Sequence, residues 1–440
     1  MVADVTHDEE GVGHPPALLG WLIWGLGAAL YAIGFFQRTA PAVMTSELMA
    51  DFDITAAALG NLASCYFYAY VIMLIPSGLL STVYGPRKLL TVGAVCTGVG
   101  LLLYALAPGI FTAGAGLAIV GGSGAVAMVL TLELAGRWLP RRRFALASGL
   151  TIASGVVGAL LAGFPLRVTL TAIGWRPVMF AFSVLSVALG VVVWHLVRDD
   201  PSEKGYLSYS TAARTKAVLS RHDVLAGLRK TLTLRNTWLM LVVPGSVVGA
   251  ILSFTGLWGV PYLKARYGLA TEQAALICSL LLAAMAVGSP VIGLISDRVG
   301  RRKPPYVASV AIAAVGWATV ILLPALPLVA VVVVLTVTSF TTGVGALSYA
   351  VGRESAPPEL SGTITGVVIT GIMIGPALIQ PVTGLLLDMN WGGAVEAGVR
   401  MYDVAAFRIA FLPTLIWTAA AALLAPWMKE THCGERKGAA

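Results

Sequence analysis

The 440-residue chain reads as an all-α membrane protein with twelve transmembrane helices in two related six-helix bundles, and three observations carry that reading. Only 11% of the residues are charged and 58% are hydrophobic, with a mean hydropathy of +0.85. A soluble domain carries about 25% charged residues, so lipid must be the solvent for most of this surface. Twelve apolar runs are each long enough to cross a bilayer, which takes about 20 residues. A short basic loop, Gly293 to Lys303, recurs in altered form at Gly78 to Lys88, which marks the chain as a duplication. Many transporter folds are built from such internal repeats.

Residues 1–16 are acidic and lack the basic start of a cleavable signal peptide, so they form an N-terminal tail. The runs of the first bundle, 17–197, cover 17–37, 56–80, 88–108, 111–137, 144–168 and 176–197. A polar stretch at 198–236 with eight Lys or Arg reads as a linker. The second bundle, 237–428, has runs at 238–262, 272–296, 304–325, 326–350, 362–387 and 404–428, and 429–440 is a C-terminal tail. With this order, 22 of the 29 lysines and arginines fall on the side that carries both tails and the linker. By the positive-inside rule that side is the cytoplasm, and the short loops point to a bacterial inner membrane. The basic residues form no stripe, which argues against a nucleic-acid partner despite a pI near 9.4. Cys65, Cys96, Cys278 and Cys433 have no metal-ligand or CxxC spacing. Glycines cluster in the fourth run (Gly114, Gly116, Gly121, Gly122, Gly124) and the fifth (Gly149, Gly155, Gly158, Gly163), where helix backbones can approach closely and slide.

The duplicated loop holds Gly293, Asp297, Arg298, Gly300 and Arg301 in one copy and Gly78, Gly85 and Arg87 in the other, where Thr82 and Val83 replace the aspartate and the arginine after it. It resembles the signature of the major facilitator superfamily, found between helices 2 and 3 and again between 8 and 9. Trp138-Leu139-Pro140 followed by arginines, and Gly174-Trp175-Arg176, also fit. The resemblance spans nearly the whole chain. It implies two pseudo-symmetric bundles around a central cavity, the major facilitator fold, working by alternating access as a functional monomer. Asp297 ends its helix where it can accept hydrogen bonds from the N-terminus of a neighbouring helix, so the loop reads as a gating motif.

Charges within a membrane are by default functional. Trp24, Tyr31, Phe35 and Arg38 recur at helical spacing and form an aromatic face ending in a cation. Arg38 can hold a carboxylate or phosphate, or snorkel to outer headgroups. The segment looks like the organic-anion branch of the superfamily, the anion:cation symporters and organophosphate antiporters. That likeness implies that Arg38 is the branch's substrate-binding arginine of helix 1. The acid preceding it in many symporters is Gln37 here, and the branch's helix 4 acid falls on Gly124. Glu133 is the remaining acid of helix 4, readable as a proton-coupling group or as an i,i+4 partner of Arg137. Tyr66 and Tyr70 share a helix face; Phe254, Trp258 and Tyr262 recur along helix 7; Gln380 precedes Pro381 in helix 11. Tyr66, Tyr70, Trp258 and Gln380 join Arg38 as candidate substrate contacts.

No nucleophile elbow, P-loop or metal-ligand cluster occurs in the sequence, so neither enzyme activity nor a cofactor is implied. The expectation is a secondary transporter of a small organic anion, a carboxylate by preference, in symport with protons. The alternatives are an exporter of drugs, siderophores or metabolites, and a membrane sensor with a transporter fold. Exporters of the superfamily carry Gly-x-x-x-Gly-Pro on helix 5, whereas here the pattern stands on helix 11 as Gly371, Gly375 and Pro376. If the loops gate transport, Asp297→Asn impairs uptake while Thr82→Asp is tolerated or favours the outward-open form; equal sensitivity at both sites would leave the motif a marker of ancestry.

Overall fold

A computed structural model describes residues 13–209, 229–231, 233–323, 325–356, 360–396 and 398–434. Among these, twelve helical segments are long and apolar enough to cross a membrane. The first half contains α1 (Ala17–Thr39), α2 (Thr45–Phe52), α3 (Ala56–Tyr84), α4 (Pro86–Ala105), α5 (Ile110–Trp138), α6 (Arg141–Leu161), α7 (Phe164–Ile173) and α8 (Trp175–Leu196). The second contains α9 (Arg235–Ser253), α10 (Gly259–Tyr267), α11 (Thr271–Val299), α12 (Lys303–Leu322), α13 (Leu328–Phe340), α14 (Val344–Ser355), α15 (Ser361–Met389), α16 (Val404–Ala410) and α17 (Leu412–Leu424). Between α15 and α16, strands β1 (Val395–Glu396) and β2 (Val399–Arg400) pair antiparallel. One end of the molecule carries the linker ends and the start of α1. We call it the basic face, and the other the opposite face.

Several spans are broken where the apolar pattern shows no break. The fifth, expected to run to 168, stops at Leu161 and resumes as α7, whose Pro165 has no amide to continue the ladder. The seventh passes through a π turn, Phe254–Trp258, between α9 and α10. The tenth has a 3-10 turn at Thr341–Gly343, where the Thr341 and Thr342 hydroxyls donate to the carbonyls of Thr338 (2.6 Å) and Ser339 (2.5 Å). Helix α2 was not expected at all. Its region is short and polar, and too brief to register as a span.

The duplication is visible as a clamp on the third helix of each half. Arg176 at the start of α8 donates to the carbonyls of Ala105 (2.9 Å) and Ala107 (3.1 Å) at the C-terminal end of α4. In the second half, Arg408 on α16 donates to those of Ile321 (2.8 Å) and Leu322 (3.1 Å) at the end of α12. At the basic face, Asp199 accepts from the Arg87 amide of α4 (2.6 Å). Glu430 likewise accepts from the amides of Arg302 (2.8 Å) and Lys303 (3.1 Å) at the start of α12. Helix ends leave unpaired donors and acceptors with partial charge, and here a cation covers each carbonyl end and an acid each amide end. Burial works against the Glu430 charge, but backbone donors from Arg302, Lys303, His432 and Thr431 hold its carboxyl below the usual range.

The halves meet along α3 against α15, and along α6 and α7 against α11. Toward the opposite face this packing is tight: a Cβ on Gly60 would lie 2.9 Å from the Pro381 Cα, and one on Gly384 would collide with the Ala56 carbonyl. Toward the basic face, Gly78 of α3, Gly149 of α6, Gly293 of α11 and Gly366 of α15 have open space around the Cβ position among the described residues. The two halves therefore close at the opposite face and part toward the basic face.

The helix 4 glycines pack within the first half. A Cβ on Gly121 would meet the Tyr66 carbonyl of α3, while one on Gly25 of α1 would touch nothing. Gly121→Ala should therefore cost about 1–3 kcal/mol through overpacking, read as a lowered thermal midpoint in detergent, with Gly25→Ala unchanged or slightly stabilised.

Candidate functional site

Arg38 sits near the end of α1 and is only 6% exposed. Its guanidinium carbon lies 3.6 Å from the centroid of the Phe35 ring, and Phe35 in turn packs on Tyr31 with centroids 4.7 Å apart. The phenols of Tyr31, Tyr66 and Tyr70 are within its electrostatic reach. Among the described residues no hydrogen bond or ion pair satisfies Arg38. A buried arginine with no ion pair among the described residues and a π face against its guanidinium can take an anion as its partner.

Tyr66 and Tyr70 project from the same face of α3, 6.1 Å apart between ring centroids. The Tyr66 hydroxyl fills the place of the missing helix 4 acid: a Cβ on Gly124 would lie 2.7 Å from it. Glycine at 124 is thus the complement of the phenol. The second half contributes through the π turn. A Cβ on Gly256 would sit 3.6 Å from the Arg38 carbonyl and 3.5 Å from Gln380 Nε2. The Trp258 indole donates to the Gln380 carbonyl at 3.0 Å. Gln380 and Gln37 are fully buried, and both side-chain polar atoms of each lack a hydrogen-bond partner among the described residues.

The remaining sequence candidates lie elsewhere. Glu133 forms an ion pair with Arg137, whose guanidinium also donates to the Asp199 carbonyl at the basic face (2.9 Å). Both motif glycines that end a helix, Gly85 (φ 78°) and Gly300 (φ 68°), adopt the positive φ that other residues resist. Asp297 accepts from Arg302 of its own half at 2.5 Å and is 61% exposed; Arg302 also pairs with Glu354 at 2.8 Å. Burial disfavours the Arg302 charge, but the hydrogen bonds it donates to the Glu354 and Asp297 carboxylates keep its pKa above the ordinary value. Arg298 and Arg301 are exposed, and Arg87 donates to the Trp194 carbonyl at 3.0 Å. Asp297 therefore contacts its own half in this conformation, with no bond to a helix N-terminus of the other half among the described residues.

The bond expected of Asp297 is made instead by Asp388, at the opposite face. Asp388 ends α15 and accepts from the amides of Ala57 (2.8 Å) and Ala56 (3.3 Å), the first residues of α3 in the other half. The Tyr402 hydroxyl donates to Asp388 at 2.6 Å and lies 3.2 Å from the Ala56 amide, and Arg400 stands 3.5 Å away. Burial and the adjacent Asp388 raise the Tyr402 pKa, so the phenol stays a donor. Arg167 on α7 adds a second tie, to Glu272 of α11 at 3.1 Å and to Glu47 of α2. Both of these ties between the halves lie at the opposite face. Sequence reading missed Asp388 and Tyr402. The signal available for Asp388 was an acid at a helix C-terminus, where the macrodipole disfavours it unless another helix uses the charge.

The Major Facilitator Superfamily profile matches residues 26–380 and again 246–435. The chain is 25% identical over 287 residues to a probable sulfoacetate transporter of Cupriavidus necator, covering 64% of this chain and 66% of that protein, just short of two thirds. It is 27% identical over 369 residues to a gentisate transporter of Corynebacterium glutamicum, covering 82% and 79%. A bacterial homologue of the human lysosomal transporter Spinster, solved inward-facing and unoccupied, shares the fold with a TM-score of 0.74 at 16% identity over 94% of this chain and 97% of that one.

Replacing Asp388 by Asn removes a charge-assisted contact worth about 1.5–3 kcal/mol. The opposite face should then open more often. Cys278, buried at the inter-half seam, reports this: its maleimide labelling, resolved by mass spectrometry, should accelerate in Asp388→Asn and stay unchanged in an Asp403→Asn control.

Proposed function

We propose that this chain, which belongs to the major facilitator superfamily, is a secondary transporter that moves a small organic anion by alternating access, with Arg38 binding the anion's charge. The observation that carries this reading is the buried, uncompensated Arg38 guanidinium at the seam between the halves. Tyr31, Phe35, Tyr66 and Tyr70 belong to one half, and from the other the π turn brings Gly256 and Gln380 toward the Arg38 backbone, with the Trp258 indole bonded to the Gln380 carbonyl. The buried amides of Gln37 and Gln380 offer donors and acceptors for a second polar group on the substrate. Sulfoacetate and gentisate, the compounds named for two relatives, are both small organic acids, which supports the same class here.

With the basic face as the cytoplasmic side, the conformation is inward-open and sealed outside by Asp388, Tyr402 and Arg167. Coupling to protons belongs to this reading, with Glu133 as the candidate proton-coupling residue. The gating motif around Asp297 then awaits its cross-half partner in the outward-open state.

In proteoliposomes, Arg38→Ala should reduce anion uptake by about a hundredfold, as expected for losing one charge-assisted contact of about 3 kcal/mol, while the protein elutes and melts normally. Arg38→Lys should retain a fraction, since lysine loses the planar fork. Normal uptake by Arg38→Ala would sink the reading. Glu133→Gln should abolish pH-driven accumulation and spare counterflow exchange if Glu133 couples protons.

A further inference from the structure

A second cationic cavity lies at the opposite face, apart from Arg38. It measures about 260 Å³ and has walls from both halves: Thr45 and Ser46 of α2 on one side, and Trp258, Lys264, Arg400 and Tyr402 on the other. We propose that it is an anion site, one that takes a small carboxylate or sulfonate and, when filled, holds the opposite face closed.

The charges make the first half of the argument. Lys264 is half-buried and has no hydrogen bond or ion pair among the described residues. The acids within reach are already used. Asp388 faces Arg400 at 3.5 Å, but its oxygens also serve the α3 amides and the Tyr402 hydroxyl. Glu272, which couples electrostatically to Lys264, is bonded to Arg167, and Glu47 pairs with Arg167 and accepts from Ser46 at 3.0 Å. Two cationic heads over hydroxyls and an indole face thus offer an anion both charge and an apolar wall. The size is close to the lower end of small-molecule sites, about 300 Å³, so the ligand is a single ring or short chain.

The walls make the second half. Opening the opposite face must separate α2 and the start of α3 from α10, the β1–β2 hairpin and Tyr402. A ligand touching both sides contacts the closed state and loses half of its site in the open one, and such differential binding shifts the equilibrium toward closure. Tyr402 couples the two directly, since it lines the cavity and its hydroxyl bridges Asp388 and the Ala56 amide.

The test uses the purified full chain carrying Arg38→Gln, so that any anion bound there does not depend on the central arginine. Benzoate, gentisate and sulfoacetate are the probes, with calorimetry and Cys278 labelling as readouts. At least one probe should bind at one per chain and slow Cys278 labelling. Adding Lys264→Gln should weaken that binding by about tenfold or more and remove the protection, and Lys264→Arg should restore both. Absence of binding by all three probes in Arg38→Gln, or binding indifferent to Lys264→Gln, overturns the proposal. If Arg38→Gln does not fold, the same comparison is made in the natural sequence: Lys264→Gln must convert a two-site isotherm to one site, and an unchanged isotherm overturns it. A failure of Arg38→Ala to impair uptake would refute the central site and leave this one standing.

Discussion

A helix end held against protein must find partners for backbone groups that neither lipid nor the helix itself can satisfy, and that demand shapes both the rigid and the movable parts of the structure. Within each half the answer is permanent. Arg176 and Asp199 cover the two ends of α4, and Arg408 and Glu430 cover those of α12. The third helix of each half is thereby pinned to the sixth, so that each bundle can behave as one body.

Between the halves the same chemistry is made breakable. Asp388 covers the amide end of α3 from the other bundle. A contact between rigid bodies can be broken by moving one past the other without unfolding either. The basic face holds the parts of a comparable device in the Asp297 motif, but there the aspartate is turned to its own Arg302. Two such contacts at opposite ends of one seam cannot both form when the halves rock. The asymmetry between the two copies of the motif, with Thr82 and Val83 in the first, leaves the second copy with the charges.

The central site follows from a different constraint, the cost of burying charge. Arg38 stacks on Phe35 and makes no ion pair among the described residues, and the Tyr66 hydroxyl occupies the space over Gly124 where an acid would otherwise reach in. A site that is cationic and aromatic selects anions with some apolar body. The acid of the same helix, Glu133, lies away from this site, paired with Arg137 at the basic face. The cavity around Lys264 repeats the cationic and aromatic theme nearer the opposite face.

The chain's composition and hydropathy determined the membrane class and the twelve spans, because burial in lipid imposes its pattern on every helix, while the repeated loop at Gly78 and Gly293 marked the duplication and carried the family resemblance. The helix 1 face from Tyr31 to Arg38 and the Tyr66–Tyr70 pair were legible too, since residues three or four apart on one helix share a face. Tertiary structure decided what lies between helices. Equal spacing put Phe254, Trp258 and Tyr262 on one stripe, but the π turn sends Trp258 to Gln380 while Phe254 and Tyr262 pack into the aromatic cluster with Phe411. Asp388 and Ala56 stand more than three hundred residues apart in the chain, and no local pattern pairs them. Which face is closed was equally invisible, because both conformations bury the same helices and differ only in which ends of them touch.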